Sequence, residues 1–479
     1  MKVQSMHFKA RAGQKLADER LQQNLTKLST KFVSARAESI TAIDFPATRA
    51  ALKARRNRAL DNLDVWLEQF EAEATRRGVT VLYAETARDA ATLVADIARK
   101  HDVRKVIKTK SMVSEEMQLN MVLEAIGVQS IETDLGEYIL QINGNEPPSH
   151  IIAPVVHKDK DEIADLFAKT HHRPRLTEVP DMTREAREML RPHFLSADMG
   201  VTGGNFVVAE TGSVVLVTNE GNEGMCTVMP RVHVAVTGIE KVLPTLEDLA
   251  TAMRLLPRSA TGQATSNYFS VLTGPRGNDD QDGPEHMYVV LVDGGRTGLI
   301  GGAFQEMLRC IRCGACMNHC PVYQKVGGHT YGWVYPGPMG SVLTPSYVGL
   351  DKALDLPQAA TLCGECNSVC PVGIPISDLL RKLREKQTER HLRPWRERAA
   401  LAVWGWFALN PGAYAVATKL GVRVLERMGG SARLIRKLPF ARGWTNGRDM
   451  PAPVGRTFRE LYAAQRTHAD TTRRRSQTG

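Results

Sequence analysis

Seven of the eight cysteines in this 479-residue chain fall within 61 residues, and their spacing is the chemistry to explain first. The first group reads Cys310-Ile-Arg-Cys313-Gly-Ala-Cys316-Met-Asn-His-Cys320-Pro321. This is C-x2-C-x2-C-x3-C-P, the spacing in which three thiolates of a tight loop cap three irons of one cubane and the fourth points to a second. Pro321 stops the loop. Zinc sites use four ligands and hold paired C-x2-C units farther apart, so four cysteines in eleven residues followed by proline fit zinc poorly. The second group, Cys363-Gly-Glu-Cys366-Asn-Ser-Val-Cys370-Pro371, matches the last three cysteines of the same motif, and Ala360 stands where a first would be. Crossed ligation then assigns Cys310, Cys313, Cys316 and Cys370 to cluster 1, a 4Fe-4S centre, and Cys320, Cys363 and Cys366 to cluster 2. With three thiolates, cluster 2 is a 3Fe-4S centre or a 4Fe-4S centre whose odd iron takes water, a carboxylate, an imidazole or a substrate. The spacing leaves these open. Cys226 stands alone and reads as a small buried apolar residue.

The elements that position these loops come next. Forty-two residues separate Cys320 from Cys363, rich in Gly, Pro and Tyr, and read as a loop covering the clusters. In it His329, Tyr331 and Trp333 are placed to shield a cluster or hydrogen-bond its sulfides. Helices are expected at 302–308 and, capped by Ser377, from 378 onward. The segment 304–392 is thus expected to be an α-helical ferredoxin-type domain.

Residues 79–303 alternate strands and helices, the pattern of an α/β domain around a mostly parallel sheet. Strands are predicted at Val79–Ala84, 106–107, 128–131, 151–152, 231–236 and 287–292. A helix capped by Thr86 runs to about 100, and another opens at Ser114 with Glu115 and Glu116 in its first turn. The runs 206–210 and 213–218, split by Thr211-Gly212, read as a hairpin. Polar residues gather at strand ends, where an α/β site lies: Lys108, Lys110, Ser111, Glu132, Asp134, Gly203, Gly204, Asn205, Asn219, Glu220 and Asn222 among them. Glu210, on the hairpin turn, is the candidate acid, base or ligand. The loop 274–280 reads as an anion site or a surface turn. No G-x-G-x-x-G follows a strand and no G-x4-G-K-[ST] occurs, so nicotinamide and Walker-type phosphate sites are unsupported.

Residues 1–78 form an Arg- and Ala-rich helical segment. They begin without an apolar stretch of the export type, so a cytoplasmic chain with reduced cysteines is expected. From Arg381 to the end there are 22 Lys/Arg against 7 Asp/Glu, a balance of +15 that leaves −5 for the rest. The region 393–479 is therefore a basic helical tail, a docking surface for anionic lipid, an acidic partner or nucleic acid, or simply a solvated face. Its uncharged stretch 399–418 carries Trp404, Trp406, Phe407 and Tyr414, but Asn410-Pro411-Gly412 breaks it into halves too short to span a bilayer. A peripheral contact at the inner membrane face, or burial against protein, suits it better.

The chain resembles the lactate utilization protein B family over nearly its whole length. The resemblance rests on the two cysteine runs, on Gly200-Val201-Thr202-Gly203-Gly204-Asn205 and Ala209-Glu210-Thr211-Gly212, and on the basic tail with tryptophans. It implies a sugar-isomerase/CoA-transferase-like α/β domain ahead of the two-cluster domain. It also implies one subunit of a complex that oxidises L-lactate to pyruvate, with a second cysteine-rich iron–sulfur subunit and a small α/β subunit as partners. Such a chain is an oxidoreductase component rather than a complete lactate-oxidising enzyme. Two readings compete: a self-sufficient iron–sulfur reductase with its active site in the α/β domain, as in the cobalamin-dependent reductases of tRNA modification, and a nucleic-acid-binding protein with a structural cluster. Against the latter, the tail's aromatics bunch together instead of alternating with basic residues, so no nucleic-acid partner is expected.

Overall fold

Runs of β-branched residues separated by turn residues build the frame of the computed structural model, which describes residues 3–439, 441–445 and 448–475. The chain divides into two units, 1–392 and 393–479. In the first, α1 (Phe8–Leu16), α2 (Glu19–Ile40), α3 (Phe45–Asp61) and α4 (Leu63–Arg76) precede the sheet. The side chain of Asp18 caps α2 and that of Asp44 caps α3, with Pro46 in the first turn of the latter.

The strands are β1 (Val79–Ala84), β2 (Lys105–Lys108), β3 (Gln129–Glu132), β4 (Met199–Gly203), β5 (Phe206–Val208), β6 (Ser213–Thr218), β7 (Val232–Gly238), β8 (Val242–Leu243), β9 (Tyr268–Leu272) and β10 (His286–Val292). Six lie side by side in the order β1-β10-β7-β4-β2-β3, every neighbouring pair parallel. Helices cover both faces of such a sheet, so its central strands are largely apolar; β7 is buried at all seven residues, its His233 bonded to Thr202 of β4 at 2.9 Å. A capping box of Thr86 and Asp89 starts the helix Ala87–Lys100, which buries Ala90, Val94 and Ile97 on one side. On the other, α4 buries Phe70 and Ala74 with Val79 and Val289. A second sheet, β8-β5-β6-β9, holds the expected hairpin, with Val207 opposite Val214.

Four local expectations need correction. Ile151 and Ile152 form a turn, not a strand: His150 Nδ1 accepts from the backbone N–H of Ile152 and Ala153, both at 3.0 Å, and draws the chain into a bend. The helix expected to open at Ser114 starts at Met112, because Ser111 supplies the cap and Ser114 turns its hydroxyl back to the Ser111 carbonyl at 2.7 Å. The lead-in at 302–308 is a single 3-10 turn, Gln305–Arg309. The outgoing helix begins at Ile376, since the Ser377 hydroxyl accepts from Asn367 Nδ2 at 2.7 Å instead of capping.

The 42-residue insert is packed protein. It contains the helix Gly337–Val348, whose first nine residues are all buried, and Tyr323, Tyr331 and Tyr335 are inaccessible to solvent. Phe8, Leu21 and Leu25 of the N-terminal helices share this core with Cys310, Cys313, Cys316, Cys320 and Cys370.

The second unit has helices Trp395–Leu409 and Pro411–Gly429, parted at Asn410, and a third at Phe458–Arg475. A short pair of strands, Leu434–Ile435 and Met450–Pro451, runs antiparallel. Trp395, Trp404 and Trp406 are exposed. Among the described residues no helix is long and apolar enough to cross a membrane.

Candidate metal centre and the cleft beside it

The two cysteine loops repeat one backbone. Arg312 and Leu362, just before Cys313 and Cys363, have φ of 58° and 57°, and Gly314 and Gly364, just after, have 76° and 83°. A four-residue helix follows each, Ala315–Asn318 and Glu365–Ser368. Two left-handed residues around one cysteine curl the chain so that successive thiols face a common point. A non-glycine residue in this region is uncommon and strained, and both loops accept it at the same place.

The loops bring Cys310, Cys313 and Cys316 near Cys370, each thiol of this group acting electrostatically on others. Cys320 lies near Cys363, and Cys366 near both. The first group is buried, whereas Cys363 is exposed and Cys366 half-buried. A small cavity of about 20 Å³ is lined by Cys320, Cys363 and Cys366 together with Ala360, Thr361 and Glu365. Burial pushes the thiols of Cys313 and Cys366 up to about 12, and that of Cys316 well above its ordinary value. Backbone N–H groups approach sulfur at Cys310 (from Arg312, 3.4 Å), Cys320 (from Tyr323, 3.5 Å) and Cys370 (from Ile374, 3.4 Å). Converging buried sulfurs that need positive charge to ionise, with amide donors aimed at them, fit an iron–sulfur centre.

Further positive charge comes from the first sixty residues, where the cysteine motif gives no sign of it. Arg36 on α2 donates to the Val369 carbonyl at 2.9 Å; its guanidinium is held down by burial and favoured by Cys313 and Cys370. Arg49 on α3 donates to the Cys370 carbonyl at 2.7 Å. Arg56, fully buried, is lowered to about 10 by desolvation despite Glu240 and Cys310 nearby.

A cleft of about 260 Å³ opens beside the first loop. Its floor is the carboxyl ends of β2, β4 and β7, contributing Thr109-Lys110-Ser111, Gly203-Gly204-Asn205 and Val236. Asn219, Glu220, Asn222 and Glu223 form a second side, and Ile311, Arg312 and Tyr335 close it from the cysteine loop and the insert. Lys110 donates to the Ile152 carbonyl at 3.2 Å and faces Asp134 at 3.7 Å. Glu240 meets Arg296 at 2.7 Å and Arg312 at 3.2 Å. Burial would raise its carboxyl, but Arg296, Arg312 and Lys241 outweigh that and hold it at about 2. Lys241 donates to the Cys310 carbonyl at 3.1 Å, and burial followed by Arg312 lowers it to about 7. Burial also raises Glu220 and Glu223 to about 7.

Comparison with known proteins adds the family. The LUD domain family model matches residues 67–292, a 4Fe-4S dicluster domain matches 306–374, and the model described as lactate utilisation protein B, C-terminal, matches 377–467. The lactate utilization protein B of Bacillus pumilus is 41% identical over 96% of this chain and 98% of its own. That of Lysinibacillus sphaericus is 40% identical over 98% and 99%, and that of Geobacillus kaustophilus 43% identical over 85% and 86%. The chain belongs to the lactate utilization protein B family. Among solved structures, a duf162 family protein from Deinococcus radiodurans aligns with 48% of this chain and 98% of its own, at 17% identity and a TM-score of 0.26. This member of the family therefore has a LUD-type α/β domain followed by a 4Fe-4S domain.

Most of the polar strand-end residues singled out in the sequence meet in the cleft, but Lys108 and Glu132 do not line it. They form a buried network beneath, Lys108 meeting Glu132 at 2.7 Å. Glu210 stands apart. It is exposed on the β5–β6 turn, and its carboxylate accepts from the Leu246 N–H at 2.8 Å, where the helix Leu246–Ala260 begins. Cys226 is fully buried against Thr133, and burial drives its thiol up to about 12. Of the insert residues, Tyr331 lies near Cys320 and Cys316, while His329 donates from Nε2 to the Pro147 carbonyl, 2.7 Å away. The cleft residues Arg312 and Tyr335 went unremarked in the sequence. Arg312 sat inside a motif read only for its cysteines, and Tyr335 among many insert aromatics.

Proposed function

We propose that this chain is the iron–sulfur electron-transfer subunit of a complex that oxidises L-lactate to pyruvate and so supports growth on lactate. The observation that carries this is the pair of matched cysteine loops set side by side, one deep and one near the surface. The relatives' name supplies the word lactate. Bound clusters would each carry one electron at a time, so two adjacent centres suit the two-electron oxidation of an alcohol. Cys310, Cys313, Cys316 and Cys370 would hold a 4Fe-4S cluster. Cys320, Cys363 and Cys366 would hold a 3Fe-4S cluster, or a 4Fe-4S cluster completed by a non-cysteine ligand, for which Thr361, Glu365 and Ser377 are the oxygen-bearing side chains in the cavity wall. The chain's own part is to bury the first group and neutralise it with Arg36, Arg49 and Arg56.

The partners would be a second cysteine-rich iron–sulfur subunit and a small α/β subunit. The complex would lie in the cytoplasm, with the tail's exposed tryptophans and flanking arginines meeting a partner or the inner membrane face. A corrinoid-dependent reductase is disfavoured by size: a cleft of about 260 Å³ falls below even the ~300–1,000 Å³ of drug-sized ligand sites.

Anaerobic purification with iron and sulfide counting and EPR tests the assignment. Two centres are expected, one lost in Cys313→Ser and the other in Cys366→Ser. In an acceptor-coupled lactate assay the chain alone should turn over slowly and the mixed subunits fast. Colourless, iron-free protein, or full activity from this chain alone, would overturn the reading.

A further inference from the structure

In a doubly wound sheet, ligands bind outside the carboxyl ends of the strands where the strand order reverses. Here that point lies between β2, whose other neighbour is β3, and β4, which leads on to β7 and β10. The cleft sits there, and its far wall is the loop between Cys310 and Cys313. Whatever occupies it therefore touches the first cysteine loop.

The wall carries unmatched hydrogen-bonding groups of two kinds. Arg312 is oriented by Glu240 on one nitrogen, 3.2 Å away, and by the Tyr335 ring, 4.9 Å from its guanidinium carbon. Its Nη1 is buried with no partner. A fixed guanidinium with a spare N–H suits a carboxylate oxygen. On the other side Asn222, only 7% exposed, donates its Nδ2 to Thr133 Oγ1 at 3.2 Å. That leaves its Oδ1 buried and unpartnered, and the Thr109 hydroxyl, also in the cleft wall, is unpartnered too. A buried acceptor without a donor is costly, at about 1–3 kcal/mol, and a ligand hydroxyl relieves it. The remaining charges do not oppose an anion: Asp134 faces Lys110, Glu240 is neutralised by two arginines, and Glu220 and Glu223 ionise reluctantly. The volume, about 260 Å³, admits a small guest of this kind.

We propose that this cleft binds a small 2-hydroxy monocarboxylate, lactate, with its carboxylate on Arg312 and its hydroxyl on Asn222, against the loop of the first cysteine group. The assignment rests on the lactate reading above, but it concerns binding only and makes or breaks no bond.

The test is isothermal titration of the anaerobically purified full chain with L-lactate and with propionate, which lacks the hydroxyl. Iron content and EPR are read on the same sample. Saturable lactate binding is expected, with propionate weaker by about tenfold or more, as for the loss of one buried hydrogen bond. Asn222→Leu should erase the preference for lactate over propionate, and Arg312→Gln should weaken both acids alike. Lactate should also shift, in the unsubstituted chain, the EPR signal that Cys313→Ser removes. Equal affinity for the two acids, no saturable lactate heat, or an unchanged preference in Asn222→Leu overturns the site. Iron present without lactate binding sinks the cleft and spares the electron relay; lactate bound by iron-free protein does the reverse.

Discussion

The two cysteine loops share a backbone and little else. Both curl through a pair of left-handed residues, yet the first is sealed by the insert, the N-terminal helices and the α/β domain, while the second leaves Cys363 exposed and Ala360 where a thiol would stand. Local geometry is thus set by the short motif, and the environment by everything around it. For redox centres the environment matters as much, since charge, amide hydrogen bonds and solvent access set the potential. One loop adjoins the cleft and the other is near the surface, an arrangement that in the proposed relay would let electrons enter at the first and leave at the second.

The comparison breaks most visibly at the paired glycines. A Cβ on Gly314 would lie 3.2 Å from Ile152, whereas one on Gly364 meets nothing within 4 Å. Gly314→Ala should therefore cost ~2–3 kcal/mol, strain plus crowding, against about 1 kcal/mol for Gly364→Ala, strain alone. Denaturant midpoints of the two variants measure the difference; equal losses would refute the packing argument. Ala360→Cys sharpens the comparison from the other side by supplying the fourth thiol. Iron should rise from about seven to about eight atoms per chain if the second centre is a 3Fe-4S cluster, or stay constant with altered EPR if an oxygen ligand is displaced.

Charge should separate the loops more gently. Removing the Arg36 cation by Arg36→Gln disfavours an added electron, so redox titration should show the first centre's potential falling and the second's moving less. The smallest effect is expected from the acids of the cleft, which only the first loop adjoins. Glu223 is raised from 4.5 to about 7 by burial. The unfolded chain releases that proton more readily, so this residue's contribution to stability falls as pH rises from about 4.5 to about 7. Glu223→Gln should flatten the decline of thermal midpoint across that window; an unchanged slope would clear Glu223 of the effect.

Much of the frame was legible in the sequence because its signals are local. The β5–β6 hairpin announced itself by two β-branched runs around Thr211-Gly212, and the helix after β1 by the Thr86 cap. Ile151-Ile152 misled because a single side chain, His150, bends the chain there, which no periodicity encodes. The arginines were invisible for a different reason: Arg36 meets Val369 across 333 residues, and nothing near either end marks the other. The same holds for Arg312, whose partners Glu240 and Tyr335 come from two other regions.

That long reach has a consequence for how the chain matures. During synthesis the N-terminal helices leave the ribosome some three hundred residues before the loops that complete their core. Phe8, Leu21 and Leu25 are then without their final neighbours, and the cysteines, once made, are solvent-accessible until those helices close over them. In the proposed two-cluster chain, iron would reach the buried first group most readily in that interval, between the emergence of Cys370 and the docking of the first forty residues, which would couple its loading to the closure of the N-terminal helices.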